Sequence, residues 1–144
     1  MKHIGSVKKL FITNKDSKIR IEVTDINCDE YGIIGDKFYK KDKNRSILLS
    51  SLNSYNKVKE NNIDINYGLL GENILLDFNP HDLSIGTKIK ISNVILEISQ
   101  ECTICNHLSK IDKKLPKLLK KDRGIFVYAI KNGKISIDDK VYII

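Results

Sequence analysis

Gly86-Thr87-Lys88-Ile89-Lys90-Ile91-Ser92-Asn93-Val94-Ile95-Leu96-Glu97-Ile98-Ser99 is the stretch on which the fold class turns. Ile89 and Ile91 alternate with Lys88 and Lys90, and Leu96 and Ile98 alternate with Glu97 and Ser99. A period of two is what a half-buried strand requires, because successive side chains leave the backbone on opposite faces. Ser92-Asn93 separates the two runs, so the stretch predicts a β-hairpin.

The flanks repeat the theme. On the N-terminal side, residues 4–13 and 18–26 are β-branched runs around the polar cluster Asn14-Lys15-Asp16-Ser17, which predicts a first hairpin. Ile19, Arg20, Ile21, Glu22 and Val23 alternate as a strand with one wet face would. Tyr31-Gly32-Ile33-Ile34-Gly35-Asp36 predicts a glycine-punctuated turn leading into the lysine-rich stretch 37–43, and residues 45–50 a buried strand. Leu52, Tyr55 and Val58 recur at helical spacing. Gly68-Leu69-Leu70-Gly71 opens into Glu72-Asn73 and a further apolar run, and Asn79-Pro80-His81-Asp82 marks a turn. On the C-terminal side, residues 102–121 take a helical pattern interrupted at Pro116. Asn132-Gly133, between apolar runs, is the strongest local hairpin signal of the chain. Short strands, few helices, no βαβ alternation and no repeat together predict a mainly β fold, a barrel or barrel-like sheet with short helices against it, and one domain over residues 1–144.

Composition narrows the function classes. With 41% apolar and 30% charged residues the chain is an ordinary globular one. No apolar run approaches a membrane span, and residues 1–9 lack the apolar stretch of a secretory signal, so a cytoplasmic protein is expected. Three cysteines, an odd number, argue against a disulfide framework. The net charge of +7 raises nucleic acid as a partner. Yet only Arg20, Arg45 and Arg123 are arginines, and the lysines are spread along the chain among Asp, Glu and Asn, as on a solvated surface.

Cys102-Thr103-Ile104-Cys105 is the obvious chemical candidate. A zinc site would need Cys28 and His107 to complete it, with no second ligand pair in support. A dithiol of thioredoxin type would want a βαβ surround. A single reactive thiolate, Cys105, is favoured by its place after a strand and in a helix's first turn, where free N–H groups face the sulfur. Two thiols simply packed in the core are the alternative. Arg45, opening an apolar strand, needs a partner such as Asp36, Glu72 or an anion. His3, His81 and His107 are read as exposed or structural.

The order of these signals carries more than any one of them. Gly32-Ile33-Ile34-Gly35-Asp36, Arg45-Ser46-Ile47-Leu48-Leu49, Gly71-Glu72-Asn73, Leu83-Ser84-Ile85-Gly86-Thr87 and Leu96-Glu97-Ile98-Ser99-Gln100 before a cysteine resemble the MOSC domain, named for the C-terminal part of molybdenum-cofactor sulfurases. The tail from Arg123 through Asn132-Gly133 to Asp139 is similar to the small stand-alone bacterial version. The resemblance implies a β-barrel-like fold and binding of the pterin-based molybdenum cofactor, molybdopterin. It implies Cys105 as sulfur carrier or metal ligand, with Arg45, Gly35 and Asp36 lining the pocket and Glu72 and Asn73 shaping its wall. It also implies a cysteine desulfurase or an electron-transfer protein as partner. The expected function is sulfur transfer through a persulfide on Cys105. Reduction of N-hydroxylated compounds by the same cofactor is the alternative, and a basic nucleic-acid-binding module a more distant one. Phe38, Tyr39 and Asn44 stand where small relatives carry histidines.

Overall fold

The computed structural model describes residues 1–102 and 106–144, the side chains of Asn106 and His107 excepted. Its strands are β1 (Lys2–Thr13), β2 (Arg20–Val23), β3 (Asp25–Asp29), β4 (Gly32–Ile33), β5 (Ile47–Ser51), β6 (Ile74–Leu76), β7 (Lys88–Ile91), β8 (Val94–Glu101), β9 (Ile125–Lys131), β10 (Gly133–Ser136) and β11 (Lys140–Ile143). Short helices α1 (Leu52–Glu60), α2 (Asn106–Ile111) and α3 (Leu115–Leu118) complete it.

Seven strands close into a barrel in the order β1-β11-β7-β8-β9-β5-β6 and back to β1. Every pairing in the ring is antiparallel except β5 with β6. The pleat sorts the side chains. Ile47 and Leu49, Ile74 and Leu76, Leu96 and Ile98, and Val127 and Ala129 point inward and form a sealed apolar core. Burial of each large aliphatic there contributes roughly 1.5–3 kcal/mol. The residues between them point outward, and two places on that outer surface are covered. Leu75 meets Tyr55, Val58 and Leu70, with Leu108, Leu115 and Leu119 from the α2–α3 region, in a second apolar cluster. Leu48, Phe126 and Cys102 form a third.

The expected hairpins are met unevenly. β7 and β8 pair around Ser92-Asn93 as predicted, from Lys88 opposite Glu97 to Ile91 opposite Val94. The first hairpin also forms, β1 against β2. Its outcome differs from the wet-face pattern, because β2 lies beyond the closed ring. Ile21 shares a face with Ile12, but at the open rim it stays 44% exposed. On the polar face Glu22 stays exposed beside Lys9, while Arg20 reaches the Gly68 carbonyl and packs against Phe11.

Two local expectations are corrected. Asn132-Gly133 does not turn β9 back on a partner: β9 pairs with β8 and β5, while β10 crosses to β3 in a separate three-stranded sheet. Gly133 is needed for proximity, since a Cβ there would lie 3.0 Å from Val94 Cγ2. Pro116 does not interrupt a helix either. It sits in the first turn of α3, where its missing N–H costs nothing, and the break falls at residues 112–114.

Candidate functional site

The end of β8 brings Cys102 to the barrel's outer face. Cys102 donates its N–H to the Gly124 carbonyl at 2.9 Å and packs with Leu48 and Phe126. Only 6% exposed, its side chain is part of the wall. Cys105 lies outside the described residues. Cys28 sits in the barrel core, where burial first and Asp29 second push its thiol up to about 12, so it is an inert apolar filler. The zinc reading therefore loses one ligand: Cys28 and Cys102 belong to separate apolar clusters. Among the described residues, no three His, Cys, Asp or Glu side chains gather as a metal site.

Arg45 ends a 3-10 turn, Lys43–Arg45, capped by the Asp42 side chain accepting from the Asn44 N–H at 3.0 Å. Ser99 ties the turn to the barrel, its hydroxyl donating to the Asn44 carbonyl at 2.5 Å and placed 3.1 Å from that of Phe126. The exposed guanidinium lies 5.0 Å from the centre of the Phe126 ring. The sequence called for Asp36, Glu72 or an anion beside it. No ion pair found among the described residues includes Arg45, and a ring face takes the carboxylate's place.

Asn73 is the seam between strands. Its Oδ1 accepts the Leu48 N–H at 3.0 Å and its Nδ2 donates to the Phe11 carbonyl at 3.1 Å. Its own backbone groups repeat both links, to Leu48 O and Phe11 N–H, each at 2.8 Å. One residue earlier, the Glu72 side chain turns the other way and is fully buried. Tyr55 donates its hydroxyl to the carboxyl group at 2.7 Å, and the Gly68 N–H lies 3.2 Å from it. Burial raises the Glu72 pKa against the lowering effect of these bonds.

Arg20, which sequence reasoning passed over, organises that side. Its Nε donates to the Gly68 carbonyl at 2.8 Å and its Nη1 to Thr13 Oγ1 at 3.0 Å. Burial lowers its pKa, and the Glu72 and Asp36 carboxyl groups oppose the shift. Asp36 itself is buried, accepting the N–H groups of Thr13 at 2.8 Å and Phe38 at 3.1 Å. Arg123, also buried, donates to the Leu70 carbonyl, so the 68–71 loop is gripped by an arginine on each side. The only sequence clue to Arg20 was its position on the polar side of an alternating strand. The structure thus divides the expected pocket residues. Arg45 and Asn73 gather about Leu48 and Phe126, beside Cys102, while Asp36 and Glu72 serve Arg20.

His81 lies in a second 3-10 turn, Pro80–Asp82, with its Nδ1 donating to Asn79 Oδ1 at 2.6 Å. Asn79 in turn reaches Asp122, whose carboxylate is held down chiefly by the Lys57 ammonium at 3.0 Å. Burial lowers the His81 pKa, with Asp122 the main opposing charge, so the ring is kept neutral in a structural network.

Residues 32–142 match the MOSC domain family. This chain belongs to that family. Solved structures share the fold. The YuaD protein of Bacillus subtilis superposes with a TM-score of 0.84 at 16% identity, over 95% of this chain and 93% of that one. YiiM of Escherichia coli superposes at 0.71 and 16% identity, covering 96% of this chain and 69% of that one. YiiM of Geobacillus stearothermophilus gives 0.70 and 14%, over 99% and 74%. No curated protein sequence matches significantly. The MOSC family is associated with molybdenum-cofactor binding or sulfur-related function. No helix among the described residues of this MOSC protein is long and apolar enough to cross a membrane.

Proposed function

We propose that this MOSC protein binds the pterin-based molybdenum cofactor and carries sulfur on Cys105. The observation that most supports the reading is Arg45, a guanidinium without a carboxylate partner among the described ion pairs, lying on the Phe126 ring that also packs Cys102. The residues present fit the group. When bound, the cofactor would supply a molybdenum centre, to which Cys105 would add a soft sulfur ligand.

The chain's own groups would then act as follows. Arg45 forks onto the terminal phosphate, with the ring behind it limiting competition from water. Leu48 and Phe126 give the ligand an apolar floor, and Asn73 keeps that floor level by joining β5 to β1. The Cys105 thiolate attacks the outer sulfur of a donor persulfide, of the kind a cysteine desulfurase presents. The donor leaves as its thiolate, and the transferred sulfur remains on Cys105.

The test is to isolate the protein from a host that makes molybdopterin and to analyse metal, pterin and the mass of the Cys105 peptide. Bound pterin with molybdenum, and a peptide heavier by one sulfur atom that reverts on reduction, are expected. Arg45→Ala should lose the pterin while melting at the same temperature. Protein carrying neither pterin nor molybdenum, with an unmodified Cys105, overturns the proposal.

A further inference from the structure

The lysine-rich stretch 37–43, whose end carries the capped turn before Arg45, also builds a site of its own. Lys40, Lys41 and Lys43 line a cavity of about 470 Å³ with Glu30 and Tyr31, a size that suits a small organic ligand. Its wall is organised from beneath. The Asp29 carboxylate accepts the Tyr31 N–H at 2.8 Å and the Tyr39 hydroxyl at 2.6 Å. The two rings meet edge to face with centroids 6.1 Å apart. Lys40 is fixed between them, its N–H donating to the Tyr31 carbonyl at 3.0 Å and its ammonium 5.3 Å and 5.7 Å from the two ring centres. Its backbone takes a left-handed φ of 62°, a conformation that costs a lysine free energy and that the surrounding bonds impose.

The charges here are held for use. Lys40 faces Tyr31 and Tyr39, and the Lys43 ammonium lies 4.8 Å from the Tyr128 ring centre. None of the ion pairs found among the described residues includes a lysine of this cavity. Ammonium groups around one hollow repel each other, and a bound polyanion would relieve that repulsion. Tyr31, 48% exposed, offers an aromatic face beside them. Glu30 has no use in a site for a bare phosphate, but it can accept hydrogen bonds from sugar hydroxyls.

We propose that this cavity binds a nucleoside phosphate, the base stacked on Tyr31 and the phosphates on Lys40, Lys41 and Lys43. The proposal depends on neither Cys105 nor a pterin. Calorimetric titration of the intact protein at low salt, with ADP, adenosine and inorganic pyrophosphate as probes, tests it. ADP binds about tenfold or more tighter than either fragment, as stacking added to phosphate attraction requires, and weakens with salt. Tyr31→Ala brings ADP down to the level of pyrophosphate, whereas Tyr31→Phe retains the difference. Lys41→Gln weakens ADP and pyrophosphate alike, and Lys117→Gln, exposed on α3 and outside the cavity lining, changes neither. The proposal is overturned if ADP fails to bind at low salt. It is overturned equally if pyrophosphate binds as tightly as ADP, the mark of a general cationic patch, or if Tyr31→Ala and Lys41→Gln, melting like the parent, leave ADP affinity unchanged.

Discussion

Arg20 and Arg45 stand in opposite situations on the same barrel. Arg20 is enclosed: a backbone carbonyl and a threonine hydroxyl fix two of its three nitrogens, Phe11 lies beneath it, and the Glu72 and Asp36 carboxyl groups oppose the lowering of its pKa by burial. Arg45 is exposed at the end of a 3-10 turn, with a ring behind it and no carboxylate ion pair among the described residues. A buried guanidinium whose Nε and Nη1 bond to the protein's own loop and strand holds that loop in place. One backed by an aromatic face and left open can take an external anion.

The comparison is broken most severely at Arg20. Arg20→Ala strips charge from beside buried Glu72 and leaves the Gly68 carbonyl without its partner, and is expected to cost about 3 kcal/mol in urea unfolding. A loss near zero would mean that the loop holds itself. Tyr55→Phe removes the hydroxyl that donates to Glu72 and accepts from the N–H groups of Gly68 and Leu70. It should cost about 2 kcal/mol by the same measurement.

A smaller, pH-dependent effect follows from Glu72, whose pKa burial raises in the fold. The unfolded chain releases this proton first as pH rises, so the stabilising contribution is complete below the unfolded carboxylate pKa and declines as pH climbs through the raised folded value. Glu72→Gln should flatten that decline in melting temperature against pH, and identical profiles would show that the carboxyl is not the cause. The smallest effect belongs to Arg45→Ala, expected to shift stability by less than about 0.5 kcal/mol because its guanidinium enters no ion pair found among the described residues. A large loss would place Arg45 with Arg20, as a structural residue.

Much of this was legible in the linear chain. The period-two runs announced the strands, Ser92-Asn93 marked a true hairpin turn, and Leu52, Tyr55 and Val58 marked the inner face of α1. The ordered motifs pointed to the MOSC family, which the match over residues 32–142 establishes. The failures share a cause. Asn132-Gly133 has the chemistry of a turn, but β9 finds β8 and β5 as partners, and the glycine serves a close approach to Val94. Ile21 has the pattern of a core residue, but its strand extends past the closed ring.

Local sequence therefore determined which faces are apolar and roughly where strands lie, because side-chain alternation and turn chemistry act over a few residues, while the run 18–26 splits into β2 and β3 in different sheets. Which strand neighbours which, and which arginine is enclosed and which left open, was decided only by closure of the barrel. Those contacts join positions as distant as Arg20 and Gly68 or Arg45 and Phe126, and nothing in the residues adjacent to either arginine encodes what the fold will bring beside it.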